Sequence, residues 1–129
     1  MTRIALVIEA DPDMAGFLAS VLKRRFDKVV VAATIGEVWR LLRVARLYPD
    51  VLLINSGRHP ALGTTLLREI RQMPLLSSLP VVLILEGESR RRQCQEYQDD
   101  QTHLLVHPFT YQELNAAIED TLTRTASYV

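Results

Sequence analysis

The chain has 129 residues, 48% of them apolar and 23% charged, with five glycines and six prolines; this suits one soluble globular domain whose core needs no covalent staple. Fifteen basic residues are matched by fifteen acidic ones, so there is no excess of positive charge to drive phosphate-backbone binding, and direct nucleic-acid binding is not expected. The single cysteine, Cys94, excludes an internal disulfide and a multi-cysteine zinc site, and no apolar run approaches the ~20 residues of a membrane span. Met1-Thr2-Arg3 leads straight into the first apolar run without a signal-peptide pattern. With the lone thiol, this makes the cytoplasm the expected location, with no membrane partner.

In chain order, the first apolar run covers residues 4–8 and reads as a strand. Asp11-Pro12 then supplies an N-cap and a proline at the first helical position, and Ala15, Leu18, Val21 and Leu22 form a helical stripe ending near Phe26. A second run covers 29–33. Thr34-Ile35-Gly36-Glu37 is a capping box opening a helix with Ile35, Val38, Leu41, Leu42 and Ala45 on one side, which must stop by Leu47 because Tyr48 precedes Pro49. The third run, 51–54, is followed by a helix over roughly 64–72, bounded by Gly63 before and Met73-Pro74 after. The fourth run is 81–85. Residues 89–100 offer only Cys94 and Tyr97 as apolar anchors, so that helix should be the least stable element. A last short run, 104–106, precedes a second capping box, Thr110-Tyr111-Gln112-Glu113, which opens a helix with Leu114, Ala117, Ile118, Thr121 and Leu122. Residues 1–124 read as one domain and 125–129 as a C-terminal tail.

Near-continuous Val, Ile and Leu in the runs, rather than strict alternation, marks strands covered on both faces. Strand and helix alternate throughout, and right-handed crossovers turn that order into an open, doubly wound α/β sheet. Ligands of such sheets sit beyond the carboxyl ends of the strands. Here those ends carry Glu9, Ala10, Asp11, Asn55, Leu85, Glu86 and His107.

These residues and spacings resemble the receiver domain of two-component response regulators over essentially the whole chain. Residues 4–13 resemble its first strand and acidic loop, and 49–55 its third strand and phosphoacceptor position. Gly63 lies eight residues beyond Asn55, where the family usually has glycine, and His107-Pro108-Phe109-Thr110 resembles its Lys-Pro-Phe-Thr turn. The intervals of 30 residues from Asn55 to Leu85 and 22 from Leu85 to His107 also match. The resemblance implies a five-stranded parallel sheet in the flavodoxin-like order 2-1-3-4-5, sandwiched in three α/β/α layers, and a cis peptide before Pro108.

It also implies a pocket whose chemistry has been dismantled. The family's phosphoacceptor aspartate is matched by Asn55, whose neutral amide is a far poorer nucleophile than a carboxylate. The acidic pair is matched by Glu9 and Ala10, so Mg²⁺ binding is expected to be weak or absent, and no cofactor is assigned. The family's Ser/Thr is matched by Leu85, which has no donor, and its lysine by His107, whose charge is conditional near neutrality. No catalytic residue is assigned. The leading expectation is a degenerate, or pseudo-, receiver that acts as a phosphorylation-independent interaction module rather than an enzyme. The alternative is a residual metal- or phosphoryl-linked switch using Glu9, His107 or His59, with Asp11 a further candidate metal ligand. A flavin binder fits poorly, since the loop after the first strand is acidic where a phosphate cradle needs small or hydroxyl residues.

Plainer roles stand beside these. Glu9 and Asp11 suit a solvated loop acid and a helix cap, His107 a turn residue, His103 a position ahead of the last strand, and Cys94 a packing residue. Trp39 suits a helix residue at the sheet margin. Arginine outnumbers lysine thirteen to two, and Arg40, Arg43 and Arg46 recur along one helix, where a solvated face is the simpler reading. The resemblance implies association through the face of the fourth helix, fifth strand and fifth helix. There Arg90, Arg91, Arg92 and Arg124 would stand with Glu96, Tyr97, Asp99, Asp100, Glu113, Glu119 and Asp120, and both signs suit a homodimer or a protein partner.

Overall fold

The computed structural model describes residues 2–126, with side chains through Thr123. Strands β1 (Ile4–Ile8), β2 (Lys28–Ala32), β3 (Val51–Gly57), β4 (Val81–Glu86) and β5 (Thr102–His107) form one sheet in the order β2-β1-β3-β4-β5. All four pairings are parallel; Leu6, for example, stands between Val30 and Leu52. The connecting helices are α1 (Pro12–Leu22), α2 (Ile35–Trp39), α3 (Pro60–Arg71), α4 (Glu88–Gln93) and α5 (Tyr111–Ala126). The fold is therefore the expected five-stranded, doubly wound α/β sandwich. Among the described residues no helix is long and apolar enough to cross a membrane.

The pleat explains the unbroken apolar runs. Leu6, Ile8, Leu52, Ile54, Leu83 and Leu85 are buried on one side, with Val38 and Leu42 from the α2 segment and Leu66, Leu67 and Ile70 of α3. Ala5, Val7, Val51, Leu53, Val82 and Ile84 are buried on the other, with Leu18, Val21 and Leu22 of α1 and Leu114, Ala117 and Ile118 of α5. Alternate residues of one strand thus enter two cores, so every position must be apolar.

Several boundaries differ from the sequence reading, each for a local reason. Helix α1 ends at Leu22, and a turn carries the buried Phe26 back to the sheet through Phe26 N–H donating to Leu22 O. Helix α2 continues as a π-helix over Arg40–Val44, closed by Ala45 N–H donating to Arg40 O and ended by Arg46 in the left-handed region at φ 52°. The wider turn rotates the chain out of the 3.6-residue register, so Ala45 is exposed instead of continuing the buried stripe. Helix α3 starts at Pro60, four residues before Thr64, so Gly63 lies inside the helix. A Cβ at Gly63 would stand 2.5 Å from Leu83 Cδ1 and 2.9 Å from Ser56 Oγ; the glycine is there to let helix and sheet approach, not to begin a helix. The weakly anchored fourth helix is short, followed by a 3₁₀ turn over Gln95–Tyr97 that seats Cys94 in the core. Helix α5 runs to Ala126, past the boundary drawn at 124; residues 127–129 and the side chain of Arg124 lie outside those described.

At the end of the sheet away from the strand carboxyl termini, half-buried Arg71 ties α3 to the starts of β4 and β5. It donates to Leu79 O at 2.6 Å, Thr102 Oγ1 at 2.7 Å and Gln101 O at 3.3 Å. Burial lowers its pKa, against the opposing attraction of Asp99. Replacing it with alanine strips these acceptors, and Ser77 O at 3.4 Å, of their donor, so Arg71→Ala should cost about 2–4 kcal/mol in denaturant unfolding. Arg71→Lys should recover only part of this because an ammonium cannot span the fork.

Candidate functional site

The carboxyl ends of β1, β3 and β5 bring Glu9, Asp11, Asn55 and His107 around a cleft of about 200 Å³, together with Met14, Gly57 and Glu86. Local sequence places each group. The Asp11 carboxylate accepts from Met14 N–H at 2.9 Å and caps α1, the plainer role set out for it. A bulge between Asn55 and Gly57 shifts the β3–β4 register, so that Gly57 stands opposite Leu85, and Gly57 takes φ 55°, which a glycine adopts without strain. That turn brings Gly57 N–H within 3.1 Å of Asn55 Oδ1.

The centre of the cleft is a contact between Asn55 and Glu9. Asn55 Nδ2 donates to Glu9 Oε2 in a short hydrogen bond, while Glu9 Oε1 accepts from Asp11 N–H at 3.0 Å. A neutral amide donor thus faces the carboxylate, and both carboxylate oxygens and the amide oxygen have partners within the chain. A hydrogen bond to a charged acceptor is stronger than one between neutral groups, so the arrangement is self-contained.

The other aligned positions separate. Leu85 is 0% exposed and packs in the core cluster with Leu83 and Cys94, so it does not line the cleft; Glu86, one residue on, does. Ala10 and His59 line an adjoining hollow of about 370 Å³ between the β1–α1, β2–α2 and β3–α3 connections, whose wall of Glu9, Asn55 and Gly57 it shares with the cleft. His107 precedes a cis peptide to Pro108, and its ring meets Phe109 edge-on at 5.6 Å. Among the described residues no three His, Cys, Asp or Glu side chains group closely enough to hold a metal ion, although Glu9, Asp11 and His107 line one cleft.

Two contributors, Ser56 and Arg58, escaped the sequence reading, and a third, Arg90, was expected on the association face. Ser56, buried behind Asn55, donates to His59 O at 2.6 Å and accepts from Gly63 N–H at 3.0 Å, thereby fixing the start of α3. Arg58 pairs with Glu86 at 3.2 Å across the rim. Arg90 donates to Arg58 O and Glu86 O at 3.2 and 3.1 Å, joining the loops after β3 and β4. The Asp11-Pro12 cap is a local signal; Ser56 reaches His59 and Gly63 through the turn that follows it, and the Arg58–Glu86 and Arg90–Arg58 contacts span 28 and 32 residues.

The expected association face is likewise divided. Its groove, about 650 Å³, is lined by Glu88, His103, Glu113 and Asp120 over Leu104, Leu105 and Val106. His103 belongs to β5 itself, and its Nδ1 meets Asp120 Oδ2 at 3.3 Å. Arg91 pairs with Glu88 at 2.6 Å, a contact that lowers the Glu88 pKa chiefly through the hydrogen bond. Arg90 serves the cleft rim instead, and Glu119 pairs with Arg25 beyond α1. Glu96, Tyr97 and Asp99 line a separate hollow with Arg71; Arg92 is exposed and Asp100 half-buried.

A scan of the sequence against protein-family models finds no match. Comparison with solved structures finds response-regulator receivers. A receiver domain protein from Clostridium thermocellum is 19% identical with a TM-score of 0.79, the match covering 98% of this chain and 99% of that one. A response regulator receiver protein from Sinorhizobium medicae is 17% identical with a TM-score of 0.78, over 96% and 97%. The bacteriophytochrome response regulator AtBRR is 22% identical with a TM-score of 0.76, over 94% and 93%. The chain therefore has the receiver fold. At these identities the likeness carries the architecture, and the chemistry must be read from the chain's own residues.

Proposed function

We propose that this chain is a receiver-type signalling module that works without phosphorylation, as a degenerate receiver relaying protein contacts in the cytoplasm and catalysing no reaction. The observation that carries this reading is the hydrogen bond from the Asn55 amide to Glu9. In a phosphoacceptor pocket facing carboxylates need a cation between them; an amide against a carboxylate removes that need. The buried position of Leu85 supports the same reading, because no hydroxyl is offered to a phosphoryl oxygen and no movement of such a group can report one. Phosphoryl transfer depends on positioning and charge stabilisation, and several of those groups are replaced together. A residual metal-linked switch is less well supported, since His107 and His59 lie on opposite sides of Glu9 and Asn55, one in the cleft and the other in the adjoining hollow, and no three ligands group closely among the described residues.

Titration with Mg²⁺ and beryllofluoride, followed by amide chemical shifts, should leave Glu9, Asn55 and Gly57 unmoved. A saturable shift confined to those residues would refute the proposal. Association belongs to the same reading: the groove between α4, β5 and α5 offers an apolar floor with a charged rim to a second copy or a protein partner. Sedimentation should show concentration-dependent association that Arg91→Glu weakens; a monomer at high concentration, unaffected by that change, would remove this part.

A further inference from the structure

We propose that the outward side of α2 and its π-helical extension is a docking surface for an acidic, aromatic-containing segment of a partner protein. Residues 38–49 hold Arg40, Arg43 and Arg46 and no Asp or Glu. None of the three has a carboxylate within ion-pair distance among the described residues. Glu37, the nearest acid in sequence, is turned back to accept from Ala33 N–H at 3.1 Å, and the Asp50 carboxylate accepts from Ile4 N–H at 2.7 Å. Five arginines elsewhere are engaged within the fold, Arg25 with Glu119, Arg58 with Glu86, Arg91 with Glu88, and Arg71 and Arg90 with backbone carbonyls; Arg68 and Arg92 also lack an ion pair among the described residues, but neither lies in an acid-free run. A merely solvated stretch usually mixes signs; residues 38–49 do not.

Two further observations point to recognition. The Arg43 guanidinium lies 4.3 Å from the centre of the Trp39 ring, which holds the cation against an aromatic platform. A guanidinium held this way has little side-chain entropy left to lose when it takes a carboxylate two-pronged, as a lysine cannot. The π-helical turn leaves Val44, next to Arg43 in the chain, 76% exposed, so apolar area lies within the same arginine-bearing segment, while Tyr48, 53% exposed, lines a separate hollow with Arg3 and Asp50. Trp and Arg are among the residues enriched where binding energy concentrates.

The same features choose the occupant. A second copy set face to face would oppose like charges. A membrane would gain little, since Trp39 is half-buried against the core and Val44 alone stands out as a fully exposed aliphatic side chain of the segment. A nucleic acid needs a longer positive track than one short helix on a chain of zero net charge provides. An acidic peptide matches both the charge and the apolar patch, and the proposal is independent of the state of the Asn55 cleft.

The test measures binding of the full chain to a labelled peptide of about twelve residues alternating Glu with Leu and Phe. The comparison probes are its Gln counterpart, a short DNA duplex and phosphatidylserine vesicles. The acidic peptide should bind best, with affinity falling as salt rises. Binding should weaken at least about tenfold in R40Q/R43Q/R46Q and about threefold in Arg43→Lys. Arg91→Gln, outside the patch, should leave it unchanged, and an unaltered thermal midpoint should show that the triple variant is folded. Failure of the acidic peptide to bind, equal binding of the Gln peptide or of the triple variant, or tighter capture of duplex or vesicles would each overturn the proposal.

Discussion

Asn55→Asp is expected to lower stability at neutral pH and still to leave phosphoryl uptake at background. The new carboxylate would face Glu9 where an amide donor now stands, exchanging a charge-assisted hydrogen bond for like-charge repulsion. The cost should be about 1–3 kcal/mol at pH 7, read from denaturant unfolding. Its pH dependence has a definite sign. A carboxyl group whose pKa is raised by folding destabilises the native state above that pKa, and the penalty fades as pH falls and the folded form holds the proton. The variant should therefore approach the parent on acidification. Uptake from acetyl phosphate should stay at background because Ala10 supplies no oxygen to a cation and Leu85 lies in the core. Adding Ala10→Asp supplies the second carboxylate and should raise uptake about ten- to a hundredfold over Asn55→Asp alone.

Gly63→Ala is expected to be the most damaging of the Gly→Ala changes, since Gly63 has the closest neighbours of the five glycines. The added Cβ would meet Leu83 Cδ1 at 2.5 Å and Ser56 Oγ at 2.9 Å, and both neighbours are buried. Moving Leu83 disturbs the core between β4 and α3, while moving Ser56 breaks its bonds to His59 O and Gly63 N–H. Overpacking of this kind costs about 1–3 kcal/mol, so the thermal midpoint should fall by about 4 to 12 °C for a chain of this size. Thr65→Ala, two residues along on the exposed side of the same helix, should stay within about 0.5 kcal/mol and serves as the control.

These two positions also illustrate how far residues alone reach. The strands were readable because burial on both faces forces continuous apolar runs, and the α2 and α5 starts because Thr34 and Thr110 carry their caps in local sequence. Gly63 was read as a helix boundary because glycine more often ends a helix than lets one approach a sheet; only Leu83 and Ser56, supplied by the fold, reveal the second use. Ala45 was placed on the buried stripe because a periodicity of 3.6 residues does not foresee a π-helical turn. The cleft was reached through spacing and resemblance, yet the Asn55–Glu9 contact joins residues 46 apart, and its direction comes from the bulge at the end of β3. The association face was least readable. Arg90 and Glu119 lie on the right elements but turn towards Arg58 and Arg25, partners from β3 onward and from the α1 end of the chain.

The central claim is that the cleft at the end of the sheet has lost covalent phosphate chemistry through the pairing of Asn55 with Glu9. Its most direct test is the intact mass of the wild-type chain after incubation with acetyl phosphate and Mg²⁺, with peptide mapping of any product. The account predicts an unchanged mass and no modified peptide spanning Asn55. A phosphoryl adduct formed at stoichiometric level within the cleft, accompanied by a change in assembly, would contradict it.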